Sequence, residues 1–395
     1  QNAGVTLPNV TLQGFGGFWQ DVFRPSKPST PALDLDQFRD LSTEDIDDLV
    51  VLAAELPVPW SRPDSTGEVR TGSAAIGREE AALAASLAAA PRIVEALGPD
   101  ATTVELRGQV YDIVERYESD VTGFSALHLH ARGTGLEVFA IDGLQVGSRA
   151  DQVASASLGR LQVDSAEFRD MVADADAYAI ATGRPVLVTG ASLGGAIAEV
   201  AAYEIAEGLT AVAGRRFATG AVHLVTVDAL GGRDAAEDIN GGRLDPRALH
   251  LINALNLRDD GDLVTRIGSH IGATVTFPTY DADGRRVQLD PEEAHVNVVS
   301  LFQVLNSDAL FAQGRRGAPA EISGFAAASN ALSDDLISAY LDSGESDPDA
   351  PHKLEVPGNK GFDATRTLYS VDADANGTVD IAVRLSQPAP PSVDP

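Results

Sequence analysis

Cysteine is absent from this chain of 395 residues, and methionine and tryptophan are rare, with one and two residues respectively. Without cysteine the protein has no disulfide bridge, no thiolate metal ligand and no thiol nucleophile. Long apolar runs are missing as well. The nearest, at residues 81–90, is mostly alanine between Glu80 and Arg92, and it predicts a helix of a water-soluble fold rather than a membrane span.

Positive charge is scarce. Lysine and arginine number 29 against 58 aspartates and glutamates, which gives a net charge of −29 at pH 7. A field of this sign repels phosphate backbones, so the composition excludes a nucleic-acid partner. The first residue is Gln1 rather than methionine, which favours a processed protein. Together with the charge, it favours a secreted or extracytoplasmic protein of bacterial type that works in a saline environment. Plain solubility explains the charge equally well.

The first part of the chain predicts an irregular arm followed by helices. Residues 1–35 are rich in glycine, proline and aromatic residues, which favour an irregular arm. A capping-box pattern at residues 42–45 predicts the start of a helix. We expect further helices over residues 75–97 and over residues 102–118, because apolar side chains recur there on one helical face.

From residue 123 onward, strand-like and helix-like segments alternate. Alternating apolar residues predict strands over 124–130 and 136–141, joined by a glycine-rich turn. The expected elements that follow are a helix over 165–181, a strand over 185–189, a helix over 196–206, and strands over 222–227, 249–257 and 273–280. Such alternation is typical of an α/β fold with a mostly parallel central sheet that is covered by helices on both faces.

After residue 312 the chain becomes acidic and irregular, and it ends in a hairpin predicted from segments 365–371 and 378–385. The predicted organisation has three parts. They are an N-terminal arm and helical extension (1–104), an α/β catalytic core (105–312) and a small irregular and β-rich C-terminal appendage (313–395).

The strongest functional signal is the G-x-S-x-G pattern of Gly190, Ser192 and Gly194. An apolar strand runs directly into it, and an alanine-rich helix runs directly out. Such a turn holds its serine in a strained conformation above the sheet edge, and small residues on either side let neighbouring backbone pass. The positive end of the following helix favours a developing oxyanion. The pattern predicts that Ser192 is a nucleophile, and the alternative is a glycine-rich turn with an idle serine.

The segment at residues 188–196, VTGASLGGA, resembles the nucleophile elbow of the class 3 (fungal-type) lipases within the α/β-hydrolases. The resemblance covers roughly residues 105–310, and it implies an α/β-hydrolase fold that cleaves lipid esters. The family usually has histidine before the serine, where this chain has Ala191. That histidine is not part of the catalytic triad, so the difference concerns substrate preference and not the triad chemistry.

The resemblance also implies an acid. In this fold the chain order is serine, then aspartate or glutamate, then histidine. The segment DLVTR, which begins at Asp262, is similar to the family's D-x-V-P-x loop, with Thr265 where proline is usual. Asp262 is therefore the predicted orienting acid. Asp259 and Asp260 compete with it in the same loop, and Asp228 after the preceding strand is a weaker alternative.

Three histidines follow the acid: His270, His295 and His352. His295 lies beyond the strand-like segment 273–280 and just before an apolar helix, where a base on the loop after the last strand belongs. His270 is separated from Asp262 by seven residues, too few to traverse another strand, and we expect at most a core role for it. His352 lies in the acidic tail. His295 is the predicted general base.

An oxyanion hole needs two backbone N–H groups. One is expected from Leu193, the residue after the nucleophile. The other is expected from the loop after the strand at 136–141, and we assign it to Leu144. The Arg-Gly-Thr segment at 132–134 matches the family's usual letters better, but it precedes that strand. Residues 147–160 then occupy the place where the family often carries a lid.

One C-terminal turn presents oxygen-bearing side chains at alternate positions, namely Asp372, Asp374, Asn376 and Asp380. Calcium favours such ligands, but Val383 stands where the bidentate glutamate of a calcium loop is expected. Asp and Asn before glycine are also ordinary hairpin residues. A plain turn is therefore the preferred interpretation, and structural calcium is the weaker one.

The sequence thus predicts a serine hydrolase that cleaves carboxylic esters of lipids through an acyl-enzyme, with no required cofactor and with transient contact to a lipid interface. Two alternatives stay open. One is a phospholipase, polyester hydrolase or acyltransferase of the same fold, and the other is a non-catalytic, hydrolase-like binding protein. The oligomeric state is not predicted.

Overall fold

The computed structural model of the protein describes residues 78–143, 157–212, 220–262, 264–281 and 298–316, single residues and short stretches around these up to residue 341, and segments 365–371 and 381–386. The predicted arm, the helix predicted from residue 42, Leu144, His352 and the four calcium candidates lie outside the described residues. Within the described part, no helix combines the length and the apolar character needed to cross a membrane.

Nine strands of the described chain form one sheet, and their order in the sheet is their order in the sequence. They are β1 (Thr103–Leu106), β2 (Gln109–Glu118), β3 (Ser125–Ala131), β4 (Glu137–Ile141), β5 (Val186–Ala191), β6 (Val222–Val227), β7 (Ile252–Asp259), β8 (Ala273–Phe277) and β9 (Arg315–Arg316). Strands β4 to β8 are parallel, and the remaining neighbours are antiparallel. The predicted parallel centre is confirmed.

The helices between the parallel strands all lie on one face of the sheet. They are α3 (Arg160–Val163), α4 (Ala166–Thr182), α5 (Ser192–Ala211), α6 (Arg233–Ile239) and α7 (Pro246–Leu251). Their apolar residues share one core with inward-facing strand residues such as Phe139, Val188 and Leu224. The cause is topological. Right-handed crossovers between strands that advance in one direction must all pass over the same face.

The opposite face is covered from both ends of the sheet. Helices α1 (Arg78–Ala88) and α2 (Ala90–Leu97) precede β1, and α8 (Val298–Leu305) and α9 (Asp308–Phe311) follow β8. Residues of α1, α2 and α8 share a second core with the alternate strand residues, among them Leu129, Val138 and Leu187. The single helix that we predicted over 75–97, as part of an extension, is thus two helices that form a layer of the α/β fold, and the boundary predicted after residue 104 falls inside β1.

The helix expected over residues 102–118 is wrong, because this segment is the antiparallel hairpin of β1 and β2. Apolar residues in the segment fit both a helical and a two-residue period, while its β-branched residues favour a strand. The turn decides the outcome. Arg107 and Gly108 both have positive φ, 52° and 73°, as a tight two-residue hairpin turn requires.

The other predicted elements that lie on described residues are confirmed, and their ends differ from the prediction by at most five residues. The apolar helix expected after His295 is α8, and the C-terminal hairpin segments pair as β10 (Thr365–Val371) and β11 (Ile381–Ser386). A sheet with a parallel centre, covered by helices on both faces and carrying a sharp strand-to-helix turn between β5 and α5, is the α/β-hydrolase fold.

Candidate active site

The turn between β5 and α5 has the geometry of a nucleophile elbow. Ser192 begins α5 directly after β5 and has a φ of 52°, which is unusual for a residue with a side chain. A Cβ at Gly190 would overlap the Gly194 carbonyl, and a Cβ at Gly194 would overlap the Asp142 and Ile141 carbonyls. Only glycine fits at these two positions, so the sequence pattern maintains a strained turn that lifts Ser192 to the carboxyl ends of the strands.

Three predicted site residues meet above this turn. The Oγ atom of Ser192 lies 2.9 Å from Nε2 of His295. The other ring nitrogen of His295, Nδ1, lies 2.8 Å from Oδ2 of Asp262. Because a carboxylate only accepts hydrogen bonds, the ring proton belongs on Nδ1, and the Nε2 lone pair then faces the serine hydroxyl.

Asp262 is held by its own loop. Its side chain is 0% exposed. Its Oδ1 accepts a hydrogen bond from the Val264 N–H at 2.8 Å, and its carbonyl oxygen accepts one from the Thr265 hydroxyl at 2.9 Å. The Arg258 guanidinium also donates to that carbonyl, at 3.4 Å. Both the carboxylate and the backbone of Asp262 are therefore fixed before any substrate binds.

The competing carboxylates of the loop are engaged elsewhere. Asp259 accepts hydrogen bonds from the Thr279 and Ser300 hydroxyls, and Asp260 forms an ion pair with Arg286 on the surface. The contact to His295 is made by Asp262.

Asp228, the weaker alternative, is buried beside the acid loop at the end of β6. Its Oδ1 accepts the Asp259 N–H at 2.8 Å. Burial, followed by the negative charges of Asp262 and Asp259, raises the pKa of Asp228 well above its usual range. Asp228 therefore keeps its proton to higher pH than an ordinary carboxyl group does.

Opposing influences set the pKa of His295. Burial lowers the pKa of His295, but the charge of Asp262 and its hydrogen bond to Nδ1 raise it, with a further contribution from Asp228. The net result is a pKa above the ordinary value of 6.5. A carboxylate partner thus strengthens this imidazole as a proton acceptor.

The chain that leaves β4 passes beside Ser192. A Cβ at Gly143 would lie 3.0 Å from the Ala191 carbonyl oxygen and 3.7 Å from the Ser192 Cβ. Leu193, the first predicted oxyanion donor, is buried at the start of α5. The second predicted donor, Leu144, follows Gly143 but lies outside the described residues. Of the predicted lid, Ala150, Val153, Ala154 and Leu158 are buried in the core on the crossover face.

Sequence reasoning missed one residue next to this loop. The Nε atom of Arg92, on α2, lies 2.8 Å from Oδ1 of Asp142, and its Nη2 donates to the Gly143 carbonyl at 3.4 Å. Oδ1 of Asp142 also accepts the Gly143 N–H at 2.7 Å. Burial raises the pKa of Asp142 to about 6, although the charge of Arg92 opposes this. The available signal was a lone arginine in a helix that is otherwise mostly apolar.

Among the described residues, no cluster of three His, Asp or Glu side chains is arranged to hold a metal ion. The calcium candidates Asp372, Asp374, Asn376 and Asp380 lie outside that part of the chain, and calcium there stays a prediction.

Comparison with solved structures finds fungal lipases. The lipase–propeptide complex of Rhizomucor miehei matches 42% of this chain over 57% of its own length, at 15% identity and a TM-score of 0.26. A triacylglycerol lipase from Penicillium expansum matches 48% of this chain over 85% of its own, at 14% identity and a TM-score of 0.32. The Lip2 lipase of Yarrowia lipolytica matches 51% of this chain over 79% of its own length, at 13% identity and a TM-score of 0.29. Neither a family model nor a curated protein matches the chain. At these values the likeness extends no further than the fold.

Proposed function

We propose that the protein is a serine hydrolase that cleaves carboxylic esters, with acyl lipids as the substrate class. The proposal depends on one observation above all. The strained serine of the β5–α5 turn is joined to a buried carboxylate through a single histidine, by contacts of 2.9 and 2.8 Å. This is the arrangement of nucleophile, general base and orienting acid that acyl transfer needs.

In the proposed reaction, the Oγ atom of Ser192 attacks the ester carbonyl carbon while Nε2 of His295 takes the hydroxyl proton. Asp262 keeps the Nδ1 proton in place and stabilises the imidazolium. The Leu193 amide, and a second amide that we assign to Leu144, hold the oxyanion. Collapse of the tetrahedral intermediate breaks the bond to the alcohol, which leaves with the proton from His295. Water then attacks the acyl-enzyme by the same steps and releases the acid.

The finer parts of the proposal have different support. The lipid character of the substrate rests on the elbow's resemblance to class 3 lipases, from which the elbow differs at Ala191, where the family usually has histidine. Transfer of the acyl group to another alcohol would use the same acyl-enzyme and differs only in the second acceptor. The extracytoplasmic, saline setting rests on the net charge of −29. No cofactor enters these steps.

The direct test is labelling with a fluorophosphonate, read by intact mass. We expect one phosphonylation per chain in the wild type and none in Ser192→Ala, with both proteins melting at similar temperatures. Ester hydrolysis should be lost together with labelling. Labelling that persists in Ser192→Ala would show a different nucleophile, and a wild type that neither labels nor hydrolyses any ester would leave the non-catalytic binding protein as the interpretation. A panel of esters of increasing chain length, including phospholipids and polyesters, identifies the substrate.

A further inference from the structure

A buried ion pair lies two helical turns below the nucleophile. Glu199 is on α5 and is 0% exposed, and its Oε1 lies 2.6 Å from Nδ1 of His270. Its Oε2 accepts hydrogen bonds from the backbone N–H groups of Ile271, at 2.8 Å, and Gly232, at 3.2 Å. The carboxylate oxygens of Glu199 are thus occupied by donors, as a buried carboxylate requires.

The second ring nitrogen of His270 determines its charge. Nε2 lies 3.2 Å from the carbonyl oxygen of Thr265. A carbonyl oxygen and a carboxylate can only accept hydrogen bonds, so both ring nitrogens must carry protons for both contacts to exist. The side chain is 6% exposed, which leaves water little access. With Glu199 ionised, the two contacts therefore require an imidazolium at His270.

The charged groups around His270 favour the same state. Burial lowers its pKa, but the charge and hydrogen bond of Glu199 raise it, and the Thr265 carbonyl adds to this. Arg258 on β7 opposes the imidazolium. Asp234 on α6 accepts hydrogen bonds from the N–H and hydroxyl of the neighbouring Ser269. The net pKa lies above the ordinary value for histidine.

The carbonyl that His270 holds belongs to the acid loop. The Thr265 hydroxyl donates to the Asp262 carbonyl, and Asp262 contacts His295, which contacts Ser192. Ser192 and Glu199 are both on α5. The contacts therefore close a ring that starts and ends on the nucleophile helix and passes through the acid loop.

We propose that His270, charged by its pairing with Glu199, is a positioning residue that fixes the acid loop at residues 262–266 relative to the nucleophile helix. Its effect on turnover rests on the proposed function, whereas the tether itself does not. Loss of Glu199 leaves the His270 imidazolium without its counter-charge, and loss of His270 leaves the Glu199 carboxylate unpaired and releases the Thr265 carbonyl. Asp262 would then lose the fixed geometry on which proton transfer depends.

The test uses the full chain labelled with ¹⁵N at histidine. In the wild type, NMR should show protons on both ring nitrogens of His270 at neutral pH, where an unperturbed histidine has lost one of them. A His270 that carries a single ring proton at neutral pH would overturn the proposal without any variant having to fold.

The variant arm compares Glu199→Gln with Glu137→Gln. Glu137 forms the matched control, because it is a buried carboxylate paired with His128 and His130 on β3. Both variants should melt at lower temperature. Only Glu199→Gln should shift or broaden the resonance of the His295 Nδ1 proton and lower kcat about tenfold with KM little changed.

If Glu199→Gln and Glu137→Gln have the same effect on the His295 Nδ1 resonance and on kcat, then Glu199 and His270 only stabilise the fold. That result would overturn the positioning role. If the wild type hydrolyses no ester, the proposed function fails, but the His295 proton resonance still decides whether the tether exists. If Glu199→Gln does not fold, Glu199→Asp retains the charge and shortens its reach. The same resonance must then shift in Glu199→Asp for the proposal to stand.

Discussion

The two loops that flank Ser192 are fixed by different parts of the chain. The acid loop is held by His270 and Glu199 on the crossover face of the sheet. The loop after β4 is held by Arg92, which comes from a helix that precedes the whole sheet. One side of the site is thus built within the βα units, and the other side depends on a segment added before them.

The difference follows from the order of the strands. Because all crossovers of this sheet pass over one face, the other face must be covered by helices that precede β1 or follow β8. Helix α2 supplies part of that cover through Ile93 and Val94, and it carries Arg92 to the carboxyl end of β4. The helices before β1 therefore pack the second core and also contact the loop beside the nucleophile.

The largest effect is expected on the acid side. Asp262→Asn should lower kcat by about 10⁴-fold, because the amide can donate to Nδ1 and hold His295 in the wrong tautomer. The fold should be retained, since the two side chains have the same shape. The measurement is kcat on a short-chain ester, together with a thermal melt.

Asp260→Asn is the matched control for this change. Asp260 lies two residues away in the same loop and forms a partly exposed ion pair with Arg286, so its loss should change kcat by less than about twofold. A larger loss in Asp260→Asn or Asp259→Asn than in Asp262→Asn would mean that the acid has been assigned to the wrong residue.

A smaller effect is expected on the other side. Arg92→Gln removes the charge that holds Asp142 and the direct contact to the Gly143 carbonyl. Because the loop beside the nucleophile then loses its fixed position, kcat should fall about tenfold with little change in KM. Affinity for a boronic acid, which mimics the tetrahedral intermediate, should weaken in parallel with kcat/KM.

Glu95→Gln provides the comparison for Arg92→Gln. Glu95 contacts the same guanidinium at 3.7 Å, but its side chain is 63% exposed. Its loss should leave kcat and inhibitor affinity within about twofold. If Arg92→Gln lowers only the melting temperature, α2 covers the sheet without supporting the site.

Most of the acid side could be predicted from the sequence, because its signals are local. The glycines of the elbow, the aspartate after β7 and the histidine before an apolar helix each lie at a position that the strand order defines. The contacts of Ser192, His295 and Asp262 join residues that the pattern had already selected. Their catalytic roles stay a proposal until activity is measured.

The other side could not be predicted, for two physical reasons. Arg92 meets a partner 50 residues further along the chain, and nothing in an alanine-rich helix indicates that partner. The apolar spacing of the β1–β2 segment fits a helical period as well as a two-residue period, so the sequence predicts a helix there. The hairpin depends on a turn with a positive φ at Arg107, which the apolar pattern does not indicate. The Glu199–His270 pair is similarly non-local, because its two residues are 71 positions apart in the sequence.

The smallest expected effect is a shift in the pH dependence of kcat/KM. It distinguishes variants of the acid loop from variants of the loop after β4. His295 acts as a base only when it is neutral, so kcat/KM should rise as the pH passes upward through its pKa. Asp262 holds that pKa above 6.5, and the wild-type midpoint should therefore lie above pH 6.5.

Asp262→Asn removes the charge that opposes burial, so the midpoint of its residual activity should move to lower pH. Arg92→Gln leaves the partners of His295 in place and should lower the plateau without moving the midpoint. A midpoint that moves equally in both variants would show that the two loops act on His295 as one unit.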